Sequence, residues 1–465
     1  MPEPRIVAFL CEWCAYRAAD EAGRRRLTYP QSLLSIRVMC TGRVEPAFVL
    51  QAFREGADGV LVAGCRPGSC HYGDGNRKAT ARHALLLRLL AQLGICPERC
   101  RLEWVDGADP ERFAALVREM TERLRALPPG PLAGEGSARA PERAPPAARE
   151  AGRPKVAFYW NAACGGCEES VLDLGEELAA ILAGAEVVLW PLVSDGKRRD
   201  VEALPDGSIA AAFLSGAVRT SEEEDWSRLL RRKSRLLVAL GACAHTGGVV
   251  GLGNLSGRGE ILAAAYRSAP SLERSDGSLP GEAGEPALAL PALLPEVVPL
   301  EAVAEVDAVV PGCPPTPELL GRALALALRG DLPRGAVLAP GHSLCEDCAR
   351  RTSRPARFAL EAVRDLATSV PDPTCFLAQG MACMGPATRG GCQAACVGVN
   401  VPCRGCFGPL PGAPDPGAAM LSALASQLCG DEEELGRLAT QIPDPAGTFF
   451  RYGLARLPRR RGSGS

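Results

Sequence analysis

Cysteine content limits this chain more than any other feature of its sequence. The 465 residues include 20 cysteines but only 4 histidines and 6 methionines. The opening residues, MPEPR, do not begin a secretory leader, so we expect a cytoplasmic protein whose thiols stay reduced. A chain of this length also builds hydrophobic cores without disulfide staples. The cysteines therefore predict metal or redox chemistry and not a disulfide framework.

Composition excludes several other classes of protein. The formal net charge is −2, which provides no overall attraction to nucleic acid or to an anionic membrane. With 47% hydrophobic and 23% charged residues, the chain has the composition of a soluble globular protein. The sequence has no run of about 20 apolar residues with which to cross a bilayer.

A change in composition divides the chain. Residues 128–154 are rich in proline, alanine and glycine and lack periodic apolar positions, which predicts an interdomain linker. After about residue 341 regular periodicity fades again and cysteines crowd together, so we expect metal ligation to stabilise that region. The other predicted segments are a first domain at 1–127, two domains at 155–335 and 336–455, and a disordered tail at 456–465.

Short apolar runs alternate with helical patterns on both sides of the linker, which is typical of parallel α/β sheets. The predicted strands are Ile6–Leu10, Ile36–Met39, Val60–Ala63, Leu102–Val105, Lys155–Trp160, Glu186–Leu192, Ile209–Leu214, Leu236–Leu240 and Ala308–Val310. The predicted helices are Pro46–Glu55, Arg77–Leu93, Glu111–Ala126, Glu169–Leu182, Ser221–Arg231, Arg258–Tyr266 and Pro317–Arg329.

Many of the cysteines follow predicted strands. Because the carboxyl ends of parallel strands meet at one edge of a sheet, such residues converge where open α/β folds bind ligands. Cysteines that merely fill a core would fall inside the strands and helices. Those that follow strands are Cys11, Cys14, Cys40, Cys65 and Cys70 in the first domain, and Cys164, Cys167, Cys243 and Cys313 in the second part.

The ligand type and spacing favour iron–sulfur clusters over zinc. Thiolates with almost no histidine nearby suit either metal centre. A zinc knuckle normally joins two close cysteine pairs, whereas the second part offers one pair and two distant single cysteines. The C-terminal region supplies enough thiolates for two four-ligand sites, and two zinc ribbons remain the alternative there. These thiolates are Cys345, Cys348, Cys375, Cys383, Cys392, Cys396, Cys403 and Cys406.

At these residues the second part resembles the small, electron-transferring subunit of nickel–iron hydrogenases. It is most similar to the methyl-viologen-reducing type that works with heterodisulfide reductase. The resemblance implies a flavodoxin-like α/β domain followed by an irregular cysteine-rich iron–sulfur domain. The motifs that carry it are Ala163-Cys164-Gly165-Gly166-Cys167-Glu168, Gly241-Ala242-Cys243-Ala244, Pro311-Gly312-Cys313-Pro314-Pro315 and the C-terminal cysteine array.

The first domain resembles a different component of the same hydrogenase, the small delta subunit. This resemblance implies a small parallel-sheet α/β domain with a 2Fe–2S cluster, fused ahead of the small-subunit sequence. The motifs are Cys11-Glu12-Trp13-Cys14, Arg37-Val38-Met39-Cys40-Thr41-Gly42-Arg43-Val44, Gly64-Cys65, Cys70-His71-Tyr72 and Gly75-Asn76.

The resemblance also implies a ligand set for each cluster. It assigns four of the five N-terminal cysteines to the 2Fe–2S cluster, with Cys14, Cys40, Cys65 and Cys70 preferred and Cys11 spare. The other sets, each for a 4Fe–4S cluster, are Cys164, Cys167, Cys243 and Cys313 (proximal), Cys392, Cys396, Cys403 and Cys406 (medial), and Cys345, Cys348, Cys375 and Cys383 (distal).

The implied function is electron transfer in a hydrogenase, with the nickel–iron centre on a separate large subunit. The implied acceptor is a heterodisulfide reductase-like flavin and iron–sulfur protein, and the resemblance does not identify the direction of flow. One alternative is an electron-transfer subunit of a complex I-like or other oxidoreductase, which usually lacks the eight-cysteine region. A zinc-bound structural scaffold is the alternative from another class. Neither nucleic acid nor direct membrane insertion is expected.

Four further residues lie near the cysteine motifs or on predicted helices. Glu168 either assists proton movement or caps the helix that it begins. His71 and His245 lie beside cluster cysteines, where a histidine either ligates iron or donates a hydrogen bond to cluster sulfur. The thiolates already suffice as ligands, which favours the second role. His83, on a predicted helix, is interpreted as a surface residue.

Overall fold

The structure is a computed structural model that describes residues 3–128, 152–270, 290–356, 358–366 and 372–457. The predicted linker at 128–154 and the predicted tail at 456–465 lie mostly outside the described residues. Within the described ranges, no helix is both long enough and apolar enough to cross a membrane.

The N-terminal module is a four-stranded parallel sheet with helices on both faces. The strand order is β2-β1-β3-β4, with every pairing parallel. The sequence patterns predict these elements within a few residues, except that α1 is absent from the predictions. The elements are β1 (Ile6–Cys11), α1 (Ala15–Arg24), β2 (Leu33–Val38), α2 (Pro46–Arg54), β3 (Gly59–Gly64), α3 (Gly75–Gln92), β4 (Cys100–Trp104) and α4 (Pro110–Ala126).

The middle module contains a six-stranded parallel sheet and a small antiparallel ribbon. Its elements are β5 (Lys155–Trp160), α5 (Gly166–Leu172), α6 (Glu176–Ala183), β6 (Glu186–Leu189), α7 (Arg198–Ala203), β7 (Ile209–Ser215), β8 (Val218–Thr220), α8 (Ser221–Lys233), β9 (Ser234–Leu240), α9 (Gly241–Thr246), α10 (Arg258–Ala263), β10 (Leu293–Val298), β11 (Ala308–Val310), α11 (Pro317–Arg329) and β12 (Ala336–Val337).

Both parallel sheets have the same winding. In the middle module the order is β12-β11-β9-β7-β5-β6, so its first four strands in sequence follow the order 2-1-3-4, as in the N-terminal sheet. That order belongs to doubly wound flavodoxin-like folds, in which ligands bind beyond the carboxyl ends of the strands. The α/β fold class and the parallel sheets predicted from the sequence are confirmed.

One predicted helix is wrong in its extent. The pattern over 169–182 predicts a single helix, but the structure has α5 and α6 with a break between them. Gly175 occupies a conformation with φ of +54°, which a helix does not tolerate and which glycine adopts at little cost. The break turns the chain so that Leu174 and Leu178 both pack into the core beneath the sheet.

The C-terminal region combines cysteine-bearing loops with helices that pack onto the N-terminal module. Its helices are α12 (Leu344–Asp347), α13 (Ala395–Gly398), α14 (Pro416–Gln427), α15 (Glu432–Thr440) and α16 (Pro445–Phe449). Helices α14 and α15 pack against α3, and the apolar residues of both regions form one continuous core. The sheet of the middle module has its own two cores, one on each face.

Candidate metal centres

Four cysteines meet beyond the carboxyl edge of the middle sheet. Cys164 and Cys167 follow β5, Cys243 lies in α9 directly after β9, and Cys313 follows β11. Burial raises the pKa of the Cys167 thiol, and the nearby Cys243, Cys313 and Cys164 thiols raise it further. The strand ends therefore bring the predicted proximal set together.

Glycines make room for two of these sulfurs. A Cβ atom at Gly241 would lie 2.4 Å from the Cys167 sulfur, and one at Gly248 would lie 2.4 Å from the Cys243 sulfur. Both glycines also have positive φ angles, +81° and +54°. Any larger residue at either position would therefore push the Cys167 or Cys243 sulfur out of its place.

Glu168 is buried behind this set and is held by two donors. Trp190 Nε1 donates to Oε2 at 2.9 Å, and the Ser215 hydroxyl donates to Oε1 at 3.0 Å. Burial raises the pKa of the Glu168 carboxyl. The side chain therefore joins α5 to the loop after β6 and to the end of β7.

A cavity of about 340 Å³ brings together the predicted distal set. Its walls include the sulfur-bearing side chains of Cys345, Cys348, Cys375 and Cys383. A Cβ atom at Gly385 would lie 3.3 Å from the Cys345 sulfur and 3.7 Å from that of Cys383. Burial, together with the neighbouring thiols, raises the pKa of Cys345 to about 11.

The predicted medial set lies between the other two. Cys392 and Cys396 flank the start of α13, and burial together with the Cys396 thiol raises the pKa of Cys392. Burial raises the pKa of Cys406 to about 12, and the Cys392 and Cys396 thiols add to that effect. Cys403, also buried, lines the cavity of the distal set.

Contacts at both ends of the medial set link the three groups. The backbone N–H of Cys313, a member of the proximal set, lies near the Cys406 sulfur and opposes the rise that burial causes in the pKa of that thiol. At the other end, burial raises the pKa of the Cys403 thiol, and the nearby Cys383 thiol of the distal set raises it further. The twelve cysteines thus form a continuous series from the edge of the sheet to the C-terminal cavity.

Tyr452 is a site residue that the sequence patterns do not reveal. Its hydroxyl lies within hydrogen-bonding reach of the Cys313 sulfur, and the Cys406 thiol acts on it as well. Burial raises the pKa of this hydroxyl. Tyr452 is far from every cysteine motif in the sequence, so no local signal identifies it.

The N-terminal cysteines form a group of three and a pair. The sulfur atoms of Cys11, Cys14 and Cys65 all lie within 4.8 Å of one another, and the Cys14–Cys65 distance is 2.9 Å. Cys40 and Cys70 form the pair, with their sulfurs 3.8 Å apart. Burial raises the pKa of the Cys40 thiol, and the Cys11 thiol raises it further, so the pair lies near the group.

This grouping bears on which N-terminal cysteine is spare. The sequence-based preference leaves out Cys11, yet Cys11 belongs to the tight group and its sulfur is 3.7 Å from that of Cys65. Hydrogen bonding with Cys14 lowers the pKa of the Cys11 thiol, and the same bond raises that of Cys14. The geometry does not distinguish Cys11 as the one that lacks partners.

Aromatic residues border the N-terminal group. Trp13, between Cys11 and Cys14, stacks on the ring of His71 with centroids 3.8 Å apart. His71 therefore packs over the cysteine-bearing loop.

The remaining cysteines and His342 have local contacts. The Cys96 thiol donates to Glu98 at 2.6 Å, that of Cys429 to a backbone carbonyl, and Cys100 lies 3.8 Å from the His83 ring. The His83 side chain is half-buried, and this burial lowers its pKa to about 4, so its interpretation as a surface residue is wrong. His342, a loop residue, pairs with Asp347 at 2.7 Å.

The donor sets fit iron–sulfur clusters. Each set consists of thiolates, and the distal thiols line a cavity into which Gly385 projects no side chain. Thiolates also bind zinc, but a knuckle for a single ion needs no cavity of this size. Bound clusters supply one-electron redox chemistry, while the chain provides the ligands, the dry surroundings and the hydrogen bonds.

Two families match separate parts of the chain. The family described as the delta subunit of methyl-viologen-reducing hydrogenase matches residues 6–128. The family described as the 20 kDa subunit of NADH ubiquinone oxidoreductase matches residues 164–327. The first match covers all five N-terminal cysteines of interest, and the second covers the proximal set.

Individual proteins give longer matches. The G-type iron–sulfur subunit of the F420-non-reducing hydrogenase of Archaeoglobus profundus is 37% identical over 308 residues, 64% of this chain and 96% of that protein. The D-type iron–sulfur subunit of the same hydrogenase is 50% identical over 127 residues, 27% of this chain and 93% of that protein.

A third relative is named as a subunit of a heterodisulfide reductase. The A-type subunit of the ferredoxin/F420H2-dependent CoB–CoM heterodisulfide reductase of Methanosarcina acetivorans is 46% identical over 132 residues. The match covers 28% of this chain but only 16% of that much longer protein. A sequence similar to one part of this chain therefore also occurs within a reductase component.

Proposed function

This chain belongs to the iron–sulfur subunits of the F420-non-reducing hydrogenases, with D-type and G-type sequences in one polypeptide, and we propose that it is an electron wire. It connects the nickel–iron active site of a large partner subunit with a heterodisulfide reductase-like flavoprotein or similar acceptor. We also propose that it works in the cytoplasm and has domains at 1–127, 155–335 and 336–455.

Three 4Fe–4S clusters and one 2Fe–2S cluster form the wire in this proposal. The proximal, medial and distal sets each hold one 4Fe–4S cluster, and four of the five N-terminal cysteines hold the 2Fe–2S cluster. The observation that carries the proposal is the continuity of the sets, because Cys313 contacts Cys406 and Cys383 acts on Cys403. Such proximity is what electron transfer between clusters requires.

The proximal set is where the large subunit binds. Cys164 and Cys313 are exposed there, although thiolate ligands of a cluster need protection from water. Exposed apolar side chains lie at the same carboxyl edge of the sheet, at Trp160, the last residue of β5, and at Leu192 and Val193 after β6. A partner that covers this edge would bury both the apolar side chains and the exposed sulfurs.

The acceptor binds the N-terminal module. A sequence similar to 132 residues of this chain occurs within a heterodisulfide reductase, which supports a reductase of that kind as the acceptor. The N-terminal module also packs directly on the cysteine-rich region through the α3 and α14 helices, which supports a single electron path through both.

A complex I-like oxidoreductase is the second candidate function. The match to the 20 kDa subunit of NADH ubiquinone oxidoreductase favours it, because that match includes Cys164, Cys167, Cys243 and Cys313. It ends at residue 327, however, and leaves out the eight cysteines of the C-terminal region. The hydrogenase function accounts for those residues as well.

Metal analysis of the purified chain tests the proposal. We expect about fourteen iron atoms per chain, from three four-iron clusters and one two-iron cluster, with matching sulfide and paramagnetic signals on reduction. A preparation that saturates with zinc, or one that binds only about two irons, would contradict it. Copurification of a nickel-bearing chain with dihydrogen-dependent viologen reduction tests the hydrogenase role, and its absence would favour the second candidate.

A further inference from the structure

His245 connects two of the proposed cluster sites. It lies in α9, two residues after Cys243, and is only 8% exposed. Its ring packs against Gly408, where an added Cβ atom would lie 3.0 Å from Cε1 and 3.2 Å from Nδ1. Gly408 follows Cys406 by two residues. The imidazole therefore extends from the helix of the proximal set to the loop of the medial set.

Neighbouring contacts hold the backbone that carries this ring. The His245 carbonyl accepts a hydrogen bond from Arg456 Nη2 at 2.9 Å, and the Thr246 hydroxyl donates to the carbonyl of Tyr452. A Cβ atom at Gly247 would clash with the side chain of Ala455. The final described segment thus packs closely along α9 and fixes the backbone from which the ring extends.

The Nδ1 atom of this ring has an unmet hydrogen-bonding requirement. It is buried and has no hydrogen-bond partner among the described residues. Buried polar atoms in proteins almost always have a hydrogen-bond partner, and one without a partner destabilises the fold. An unpartnered nitrogen beside a loop of cysteine ligands indicates that its partner is not part of the polypeptide.

We propose that His245 Nδ1–H donates a hydrogen bond to a sulfur atom of the cluster held by the medial set. The inference rests on the proposed function, since it requires that cluster. A donor beside cluster sulfur stabilises the extra negative charge of the reduced state, and so raises the reduction potential. His245 is thus a positioning residue that tunes the middle of the wire without ligating iron.

Direct ligation by His245 is the competing role. The medial set already offers Cys392, Cys396, Cys403 and Cys406, which complete the coordination of a four-iron cluster. A fifth ligand has no open position there. Ligation by His245 would require one of the four cysteines to leave the cluster. The hydrogen bond requires no change of ligand and also explains the unpartnered nitrogen.

Two substitutions in the complete chain, purified with its large subunit, separate these roles. His245→Leu removes the donor, whereas His245→Asn returns an N–H close to the position of Nδ1. Redox titration followed by paramagnetic resonance measures the potential of the medial cluster, whose signal is identified by its loss in Cys406→Ala. Pulsed measurements in deuterated water detect an exchangeable deuteron beside that cluster.

We expect His245→Leu to keep the wild-type iron content, to shift the medial potential to a more negative value and to lose the deuteron coupling. His245→Asn should restore both properties toward wild type. His83→Leu, at a half-buried histidine of the N-terminal module, is the matched control and should leave the medial potential unchanged.

Two outcomes would overturn the inference. An unchanged potential and coupling in His245→Leu would make His245 a packing residue, and loss of about four irons in both variants would make it a ligand. Failure of the proposed function is distinguishable, because it would appear in the wild-type protein as missing iron–sulfur clusters before any variant is compared.

Discussion

Asp307 is a buried charge at the start of the strand that leads to Cys313. Its side chain is 2% exposed, and both Arg231 and Arg334 donate to its carboxylate. The backbone N–H of Leu237 in β9 also donates to it, at 2.8 Å. One carboxylate therefore fixes α8, β9 and β11 relative to each other, and with them the approach of the chain to Cys313.

Asp307→Ala should destabilise the middle module strongly. The substitution leaves Arg231, whose side chain is 4% exposed, as a buried cation without its carboxylate. Breaking such a pair costs about 3–5 kcal/mol, and denaturant unfolding followed by tryptophan fluorescence measures this loss. Arg334→Ala is the matched control, because the Arg334 side chain is 58% exposed and its loss should cost less than about 1 kcal/mol. Equal effects of the two substitutions would show that burial does not govern this pair.

At the same scale, the positions of the cysteines were more predictable than their groupings. Cys164, Cys243 and Cys313 follow different strands, and parallel strands end at one edge, so their convergence follows from the sequence pattern. The division of the N-terminal cysteines does not. Cys40 and Cys70 form their own pair beside Gly75, where a Cβ atom would lie 2.2 Å from the Cys40 sulfur. The conformation of the loops determines this contact, and the spacing of the cysteines in the sequence does not predict it.

Among the elements, α14 shows why the sequence patterns predict no helix in the C-terminal region. Its sequence, PGAAMLSALASQ, is composed of small and apolar residues on every side. Helices α2, α3 and α16 all pack around it, so it has no polar face to produce a helical period. Asp415 nevertheless marks its start, since its side chain accepts from the backbone N–H of Ala418 at 2.8 Å. A buried helix of this kind shows only its cap in the sequence.

Truncation of a core side chain in α14 should weaken the N-terminal module as well. Leu424 is 2% exposed in the core that α14 shares with α3, so Leu424→Ala should cost about 2–5 kcal/mol. Hydrogen–deuterium exchange should then speed up in α3 as well as in α14. Leu34→Ala, at a position that is 63% exposed, is the control and should change neither helix. Faster exchange confined to α14 would contradict a shared core.

Across the whole molecule, the first module in the sequence packs on the last region. Besides the apolar core, Arg77 Nη1 donates to the carbonyl of Leu428 at 2.6 Å, and Arg82 Nη2 to the hydroxyl of Ser426 at 3.0 Å. Gln92 donates to Asp444 at 2.9 Å. D-type and G-type sequences occur as separate subunits in Archaeoglobus profundus, and here they meet across an interface that resembles a domain interior.

Cleavage of the connecting segment should therefore leave the two parts associated. Cleavage at a protease site inserted within residues 129–151 breaks the covalent connection and leaves every contact between described residues intact. Because apolar burial is weakened little by salt, the fragments should elute together in size-exclusion chromatography even in high salt. The iron content and the reduction of the N-terminal cluster should also match those of the uncleaved chain. Separation of the fragments would mean that the covalent connection, and not the shared core, maintains the path between the modules.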